Sequence, residues 1–439
     1  MKNIRIILPV TIVLASIIFL LIEYNETTDD YIYGNSYRQN KFVNTIRLHK
    51  YGITGKGVKV GILGSGFDTQ HPLFAETRIL KEYDFAENKP DTRCLTHIAG
   101  TDHGTMVFSV IGGYLPGELV GIAYGADFIL AKSDKSKQRL VEEEYYAVKG
   151  ARWLGENGVR IITTSLSFNK FDNADYYYPS QMDGVSSFIT RTADSLVNKG
   201  IVFFASAGNQ YEERWQIIEP PGDGFKVICV GAINKYKTHA FFSSCGPTAD
   251  GRIKPDLAAP GEGVWVANHL IKMKPSYVWS HGTSLSAPIA AGIAALILSC
   301  HPELNPEQVT EALKMSASQS NNPDNLCGWG VPDAEKAVSY FGPAFSNSPQ
   351  IIIDRDKITI STFVFSSFGL DKSSVQLHLI NNLNELSYTL KENDKNYFST
   401  TQNYDADKKH KFYFTAVDSR GNKTRFPTGF LGEYFTVNQ

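Results

Sequence analysis

From Gly57 onward the chain alternates short apolar runs with amphipathic stretches. Gly57 to Leu63, Ala126 to Ala131, Val159 to Ser167, Ile201 to Ser206 and Val227 to Ile233 are dominated by apolar and small residues. Such runs, with little polar alternation, are the pattern of strands buried on both faces. Between and after them, Leu140 to Leu154, Val185 to Val197, Ser284 to Ser299, Pro306 to Ser316 and Pro332 to Tyr340 read as helices. Strand followed by helix, repeated, predicts an α/β domain with a parallel sheet covered on both faces.

The pattern changes at Gly342-Pro343. Lys357 to Phe363, Ser374 to Leu379 and Lys411 to Ala416 are alternating segments separated by polar turns. The change predicts a small all-β domain over residues 343–439, an immunoglobulin-like sandwich dispensable for the α/β part. At the other end, Lys2 and Arg5 precede an uncharged apolar run from Ile6 to Ile22, and the acidic stretch Glu23 to Asp30 follows. Positive charge ahead of an apolar segment marks residues 1–30 as a signal peptide or an N-terminal membrane anchor. The rest of the chain is then exported: secreted, periplasmic or membrane-anchored facing outward. The exit sequence Phe19-Leu20-Leu21-Ile22-Glu23 lacks the small residues of a cleavage site, which favours the anchor.

A length of 439 residues suggests two or three domains at about 150 residues each. Lys plus Arg is 43 and Asp plus Glu is 45, so the basic excess of a nucleic-acid binder is missing and no such partner is expected. With 42% hydrophobic and 12% aromatic residues the chain can bury large cores, which excludes wholesale disorder. Five cysteines are too few for a disulfide scaffold. Cys229 reads as an inert residue of a buried strand, and Cys300 and Cys327 could pair in an oxidising compartment.

Three segments carry candidate chemistry. His103-Gly104-Thr105 follows Asp102 and opens a helical run, Met106 to Ile111. Gly282-Thr283-Ser284-Leu285-Ser286-Ala287-Pro288 opens the small-residue helix, and Ser206-Ala207-Gly208-Asn209 ends a strand. A serine at a helix start suits a nucleophile, because the positive end of the helix dipole stabilises developing negative charge. A histidine must then remove its proton, and an amide donor must meet the oxyanion. Taken singly, Ser284 reads as a helix cap, His103 as a core histidine and Asn209 as a loop turn.

In this order and spacing the segments resemble the subtilisin-like serine proteases (subtilases). The resemblance runs from Gly57 to Tyr340. It includes Gly-Val-Lys-Val-Gly-Ile-Leu-Gly-Ser-Gly-Phe-Asp-Thr-Gln-His-Pro from Gly57 to Pro72, and the loops Phe242 to Pro247 and Ile253 to Gly261. It implies a subtilisin-like three-layer domain over residues 31–342, acting on a peptide or protein substrate. It also implies Ser284 as nucleophile, His103 as general base and Asn209 as oxyanion donor. Ser165, Leu166, Ser167 and Gly208 would bind the extended substrate. No metal or other cofactor is expected. The segment Gly113 to Glu118 lacks the Asn-rich calcium loop of the bacillary enzymes, so calcium has no identified site.

The departures are as informative. The family's first motif reads apolar-apolar-Asp-Thr/Ser-Gly, and that aspartate orients the catalytic histidine. Here the same place reads Ile62-Leu63-Gly64-Ser65-Gly66, so Gly64 stands where the triad carboxylate belongs. Asp68 matches a separate, non-catalytic position of the motif, and Asp102, adjacent to His103, does not face it on a helix. Gly64 is expected to leave a small gap that one water could fill. Ser167-Phe168 stand where many relatives carry Gly-Gly, which could narrow the specificity pocket. Glu142-Glu143-Glu144 read as a solvated helix start, or as a cleft border hinting at basic substrate side chains. About 35 residues separate the apolar segment from Gly57, too few for the folded inhibitory propeptide of many secreted relatives. Two functions follow. One is an exported serine endopeptidase attenuated by Gly64, since losing the triad aspartate lowers kcat by about 10⁴-fold. The other is a catalytically inactive pseudoprotease serving as a surface peptide-binding or scaffold protein.

Overall fold

The computed structural model describes residues 31–437 apart from 94–102, 135–139, 174–176, 214, 272–273, 382–383, 405–409 and 429–433. The apolar run from Ile6 to Ile22 and Asp102 lie outside the described residues. The first part contains β1 (Lys59–Gly64), β2 (Arg78–Asp84), β3 (Tyr114–Leu115), β4 (Leu119–Val120), β5 (Asp127–Lys132), β6 (Ile161–Thr164), β7 (Val202–Ser206), β8 (Ile228–Ile233) and β9 (Leu257–Pro260). A seven-stranded sheet runs β2-β5-β1-β6-β7-β8-β9. Its neighbouring strands are all parallel.

Successive residues of these strands feed opposite faces, as the two-residue period requires. Val60, Ile62, Ile161 and Phe204 join the core under the helices His103–Gly112 and Thr283–Cys300. Leu63, Ile162 and Phe203 join the core under Val141–Glu156 and Phe188–Val197. The result is the expected α/β architecture of three layers. The helix Thr283–Cys300 is long and apolar enough to cross a membrane, but 94% of it is buried inside the protein, so it is a core helix.

Several elements are not legible from periodicity, among them four strands of this part. β2 is an edge strand whose residues are mostly exposed or half-buried, so it carries no apolar run. β9, read from sequence as a loop, is fully buried. An antiparallel hairpin of β10 (Glu262–Ile271) and β11 (Lys274–His281) leads into the helix Thr283–Cys300. Its second strand is half-buried or exposed throughout, which dilutes its apolar signal.

Residues from Ala344 form β12 (Ala344–Phe345), β13 (Gln350–Asp354), β14 (Lys357–Phe365), β15 (Leu370–Asn381), β16 (Asn384–Thr389), β17 (Lys391–Asp394), β18 (Tyr397–Asn403), β19 (His410–Asp418), β20 (Lys423–Phe426) and β21 (Phe435–Thr436). One antiparallel sheet runs β12-β14-β18-β17 with β13 beside β14; the other runs β16-β15-β19-β20 with β21 beside β19. They bury Ile358, Ile360 and Phe398 against Leu377, Phe412 and Phe414. This all-β part is joined tightly to the α/β part. Ala344 and Phe365 belong to the α/β core, and Tyr51 stacks on Phe363 at 4.8 Å. Asn347 Nδ2 donates to Ser299 O at 2.8 Å, and Arg420 Nη2 donates to Tyr340 O at 2.7 Å.

The described stretch before β1 clamps the same domain. Gln39 bonds both backbone groups of Trp265, at 2.9 and 3.2 Å, and Asn40 Nδ2 donates to Val120 O at 2.8 Å. Among the described residues Cys229, Cys245, Cys300 and Cys327 are free thiols, so the Cys300–Cys327 pair is not formed. Cys300 is fully buried beside Phe345 O, and burial pushes its thiol up to about 12.

Candidate active site

β2 and β5 lie on one side of β1, and β6 to β9 lie on the other. A crevice is expected where strand order reverses, beyond the carboxyl ends of the strands. The ends of β1, β6 and β7 deliver Gly64, the segment Ser165 to Ser167, and Gly208-Asn209 to that edge.

Ser284 is the second residue of its helix and is half-buried. It is not the cap: Gly282 holds that position, at φ 143°, a conformation that favours glycine. Pro288 lies four residues beyond Ser284 and has no N–H to give to the Ser284 carbonyl. Ser165 Oγ donates to that carbonyl instead, at 2.8 Å. The expected substrate-edge serine therefore has a definite structural task, joining the end of β6 to the start of the helix.

Asn209 is exposed, and its side chain is fixed by its oxygen. Oδ1 accepts from the Thr283 backbone N–H at 2.9 Å and from the Thr283 hydroxyl at 3.0 Å. With Oδ1 held, Nδ2 is left at the Gly282 side. A Cβ built on Gly282 would lie 3.6 Å from Asn209 Nδ2, 3.7 Å from Ser284 N and 3.8 Å from Asn209 Oδ1, so the Asn209 amide and the Ser284 N–H border one small volume. Gly208, at φ +107°, donates its N–H to Thr283 Oγ1 at 3.2 Å and accepts from Ser244 N at 2.9 Å. The loop Phe242 to Pro247 thus braces the strand end that carries Asn209. Thr283 organises both residues, a role that no local pattern assigns to it.

His103 opens its helix and is half-buried rather than a core residue. Its helix start packs on the turn after β1. A Cβ on Gly104 would meet Gly66 O at 2.1 Å, and Asp68 N–H donates to Thr105 Oγ1 at 2.8 Å. A Cβ on Gly64 would lie 3.6 Å from Gly104 Cα, so position 64 and the histidine's helix are direct neighbours. The expected water-sized gap beside Gly64 is instead filled by Phe67, whose ring Cζ would be 2.9 Å from that Cβ. Phe67 is fully buried and edge-on to Phe108, at 6.3 Å. No local pattern marks this phenylalanine, although it lies inside the motif from Gly57 to Pro72.

Two further expectations change. Phe168 is buried in the second hydrophobic core, with Phe171, Ile189 and Phe203. The triple glutamate is a structural helix start. Glu144 accepts from Ser187 Oγ, Ile189 N and Tyr177 Oη, and Glu142 accepts from Asn173 Nδ2. Leu166 packs partly against the same core, and Ser167 is half-buried.

The Subtilase family model, Peptidase_S8, matches residues 55–330. Serine protease AprX of Bacillus subtilis (strain 168) is 30% identical over 308 residues, 65% of this chain and 67% of its own length. Subtilisin E of the same strain is 28% identical over 277 residues, 63% of this chain and 64% of its own. A solved protease of Pseudoalteromonas arctica PAMC 21717 shares the fold with a TM-score of 0.56 and 22% identity, covering 70% of this chain and 97% of that one.

Proposed function

We propose, on the premise that this chain belongs to the subtilase family of serine proteases, that it is an exported endopeptidase working through Ser284. The observation that carries this reading is the amide of Asn209, held by Thr283 so that Nδ2 and the Ser284 N–H border one volume. Ser284 Oγ attacks the scissile carbonyl while His103 takes its proton. The oxyanion receives hydrogen bonds from Asn209 and the Ser284 N–H, reinforced by the helix dipole. His103 then returns the proton to the leaving amine, and water repeats the cycle on the acyl-enzyme. The substrate, a peptide or protein, lies along Ser165, Leu166, Ser167 and Gly208. No step needs a metal.

Gly64 attenuates the reaction, because no carboxylate from that position offsets the imidazolium formed during attack. Residues 31–342 act as the peptidase unit and 343–439 as an accessory sandwich, while residues 1–30 carry the chain across a membrane and hold it there, facing outward. A second reading, an inactive peptide-binding scaffold, draws support from the Phe67 ring packed beside Gly64. Fluorophosphonate labelling of the full chain separates the two. The expected result is an adduct on Ser284, found by peptide mass spectrometry, absent in Ser284→Ala and slower in His103→Ala. A folded wild-type protein that takes no label leaves the scaffold reading.

A further inference from the structure

The described chain begins against the hairpin β10–β11. Tyr31 is 79% exposed and Ile32 43%. Ile32 O accepts from Gly117 N–H at 2.8 Å, and the next residue, Glu118, accepts the Trp265 indole N–H at 3.1 Å. Trp265 stands opposite Trp279 across the hairpin, with the two rings 4.9 Å apart. Tyr277 stacks on Trp265 at 6.2 Å. Residues opposite each other, or two apart, share a face of a hairpin, so these three rings form one row. The other face is spent on the core, where Val264 and Val266 are buried. Trp279 ends the row 50% exposed. The helix Tyr37–Phe42 borders the row, with Gln39 holding the Trp265 backbone and Arg38 and Lys41 exposed. From residue 31 to residue 59 the chain carries six basic residues, Arg38, Lys41, Arg47, Lys50, Lys56 and Lys59, and no acid. Of the acids on neighbouring segments, Glu118 is held by the indole and Glu262 shares a small cleft with Arg38.

Half-exposed Trp and Tyr rings bordered by Arg and Lys are the side chains that settle where lipid headgroups meet hydrocarbon. The rings bury apolar surface among the acyl chains, and the cations meet the phosphates. Covalent length brings this face to lipid. With Ile6 to Ile22 held in a bilayer, the nine steps from Ile22 to Tyr31 reach at most about 30 Å, whatever path they take. Tyr31 cannot leave the membrane by more than that, and the aromatic row is joined to Tyr31 through Ile32, Gly117 and Glu118. We infer that the face of Tyr31, Trp265, Tyr277 and Trp279 lies on the lipid surface, with the Trp279 ring entering the headgroup region. The inference rests on the anchor reading of residues 1–30 for its nearness to lipid, but not for the chemistry of the face. The β11 strand that bears Trp279 ends at His281, three residues before Ser284, so the docked face adjoins the start of the nucleophile's helix.

Two measurements on the full chain keep the face and the anchor apart. The protein is reconstituted with vesicles of equal parts phosphatidylcholine and phosphatidylglycerol, whose acyl chains are brominated near the headgroup end or left unbrominated. Bromine quenches only tryptophans that reach the acyl chains. Wild type is expected to lose tryptophan fluorescence in the brominated vesicles. Trp279→Phe should abolish most of that loss, and Trp153→Phe, in the helix Val141–Glu156, should leave it unchanged. Trp279→Tyr gives the same readout should Trp279→Phe fail to fold. The anchor is tested separately, by flotation of the same vesicles after extraction with alkaline carbonate. Protein that stays with the vesicles and shows quenching carried by Trp279 supports both readings. Quenching that depends on Trp279 in protein that carbonate extracts keeps the face and refutes the anchor. Protein that carbonate does not extract, with no quenching or with quenching that Trp279→Phe leaves intact, overturns the docked face and keeps the anchor. Protein that neither floats nor is quenched overturns both. Blue-shifted Trp279 emission without bromine quenching means a second copy of the chain covers the row, and also overturns the inference.

Discussion

Gly64 and the Phe67 ring packed beside it together occupy the end of β1. β1 is a regular extended strand, so its backbone accepts a side chain at position 64, and the obstacle is the Phe67 ring. Gly64→Asp alone must displace a buried aromatic that is packed against Phe108, and should raise esterase kcat little. Gly64→Asp with Phe67→Val opens the space. The pair is expected to raise kcat by on the order of 10³-fold, while Phe67→Val by itself costs about 2–3 kcal/mol of stability from lost packing. Steady-state kinetics with a p-nitrophenyl ester, beside urea melts of all three variants, check this; equal kcat in parent and double variant contradicts it. On the proposal that Asn209 stabilises the oxyanion, Asn209→Leu keeps the bulk and removes the donor, and kcat should fall by about 10²–10³-fold with KM little changed. Of these residues, Ser284, His103, Asn209 and Gly64 are legible in the motif, because each position is a local pattern. Phe67 and Thr283 are not, since their roles depend on which distant backbone each side chain meets.

Among the elements, the helix Thr283–Cys300 shows how one local rule is answered elsewhere in the chain. Pro288 withholds a hydrogen bond from Ser284 O, and Ser165, at the end of β6, supplies it. Ser165→Ala should cost about 1 kcal/mol by leaving a part-buried carbonyl without its partner. Pro288→Ala restores an N–H to the helix, so the Ser165→Ala penalty should shrink in that background. A double-mutant cycle by chemical denaturation measures the coupling, and strict additivity would refute it. A second element-level prediction concerns the helix Ile46–Lys50. His49 Nε2 donates to Ile122 O at 2.9 Å and its Nδ1 meets Tyr33 Oη at 2.7 Å, a pairing suited to the neutral ring. Burial lowers its pKa from 6.5 to about 4, against the opposing pull of the Ile122 carbonyl. The folded state thus binds the proton less readily than the unfolded one. The stability from keeping His49 neutral is fully present above pH 6.5 and is lost as pH falls toward 4, by roughly 3 kcal/mol. In urea melts across that range, His49→Gln should show a flatter pH dependence than wild type; parallel curves would contradict it. Helix limits such as Pro306–Ser316 are legible from sequence because caps and periodicity are local. β2 and the β10–β11 hairpin are not, because an edge or solvent-facing strand needs no apolar run.

For the whole molecule, the all-β part bears on the stability of the part before it. Sequence patterning suggests a dispensable sandwich beginning at residue 343, but Phe365 and Ala344 sit in the α/β core and Tyr51 stacks on Phe363. Residues 31–342 alone should therefore melt well below the full chain and bind 1-anilinonaphthalene-8-sulfonate through the exposed Tyr51 face. An unchanged melting temperature would show that the shared core adds nothing. The sequence by itself determined the α/β class, most of the buried strands along the chain, the switch to β structure after Gly342 and the motifs that carry Ser284, His103 and Asn209. Those features are carried by periodicities and short motifs, whose physics acts between near neighbours. Tertiary structure alone decided that Phe67 fills the place beside Gly64, that Ser165 completes the Ser284 carbonyl and that Phe168 turns into the core. Each of those depends on contacts across the strand ends, where packing and electrostatics join segments that no local pattern brings together.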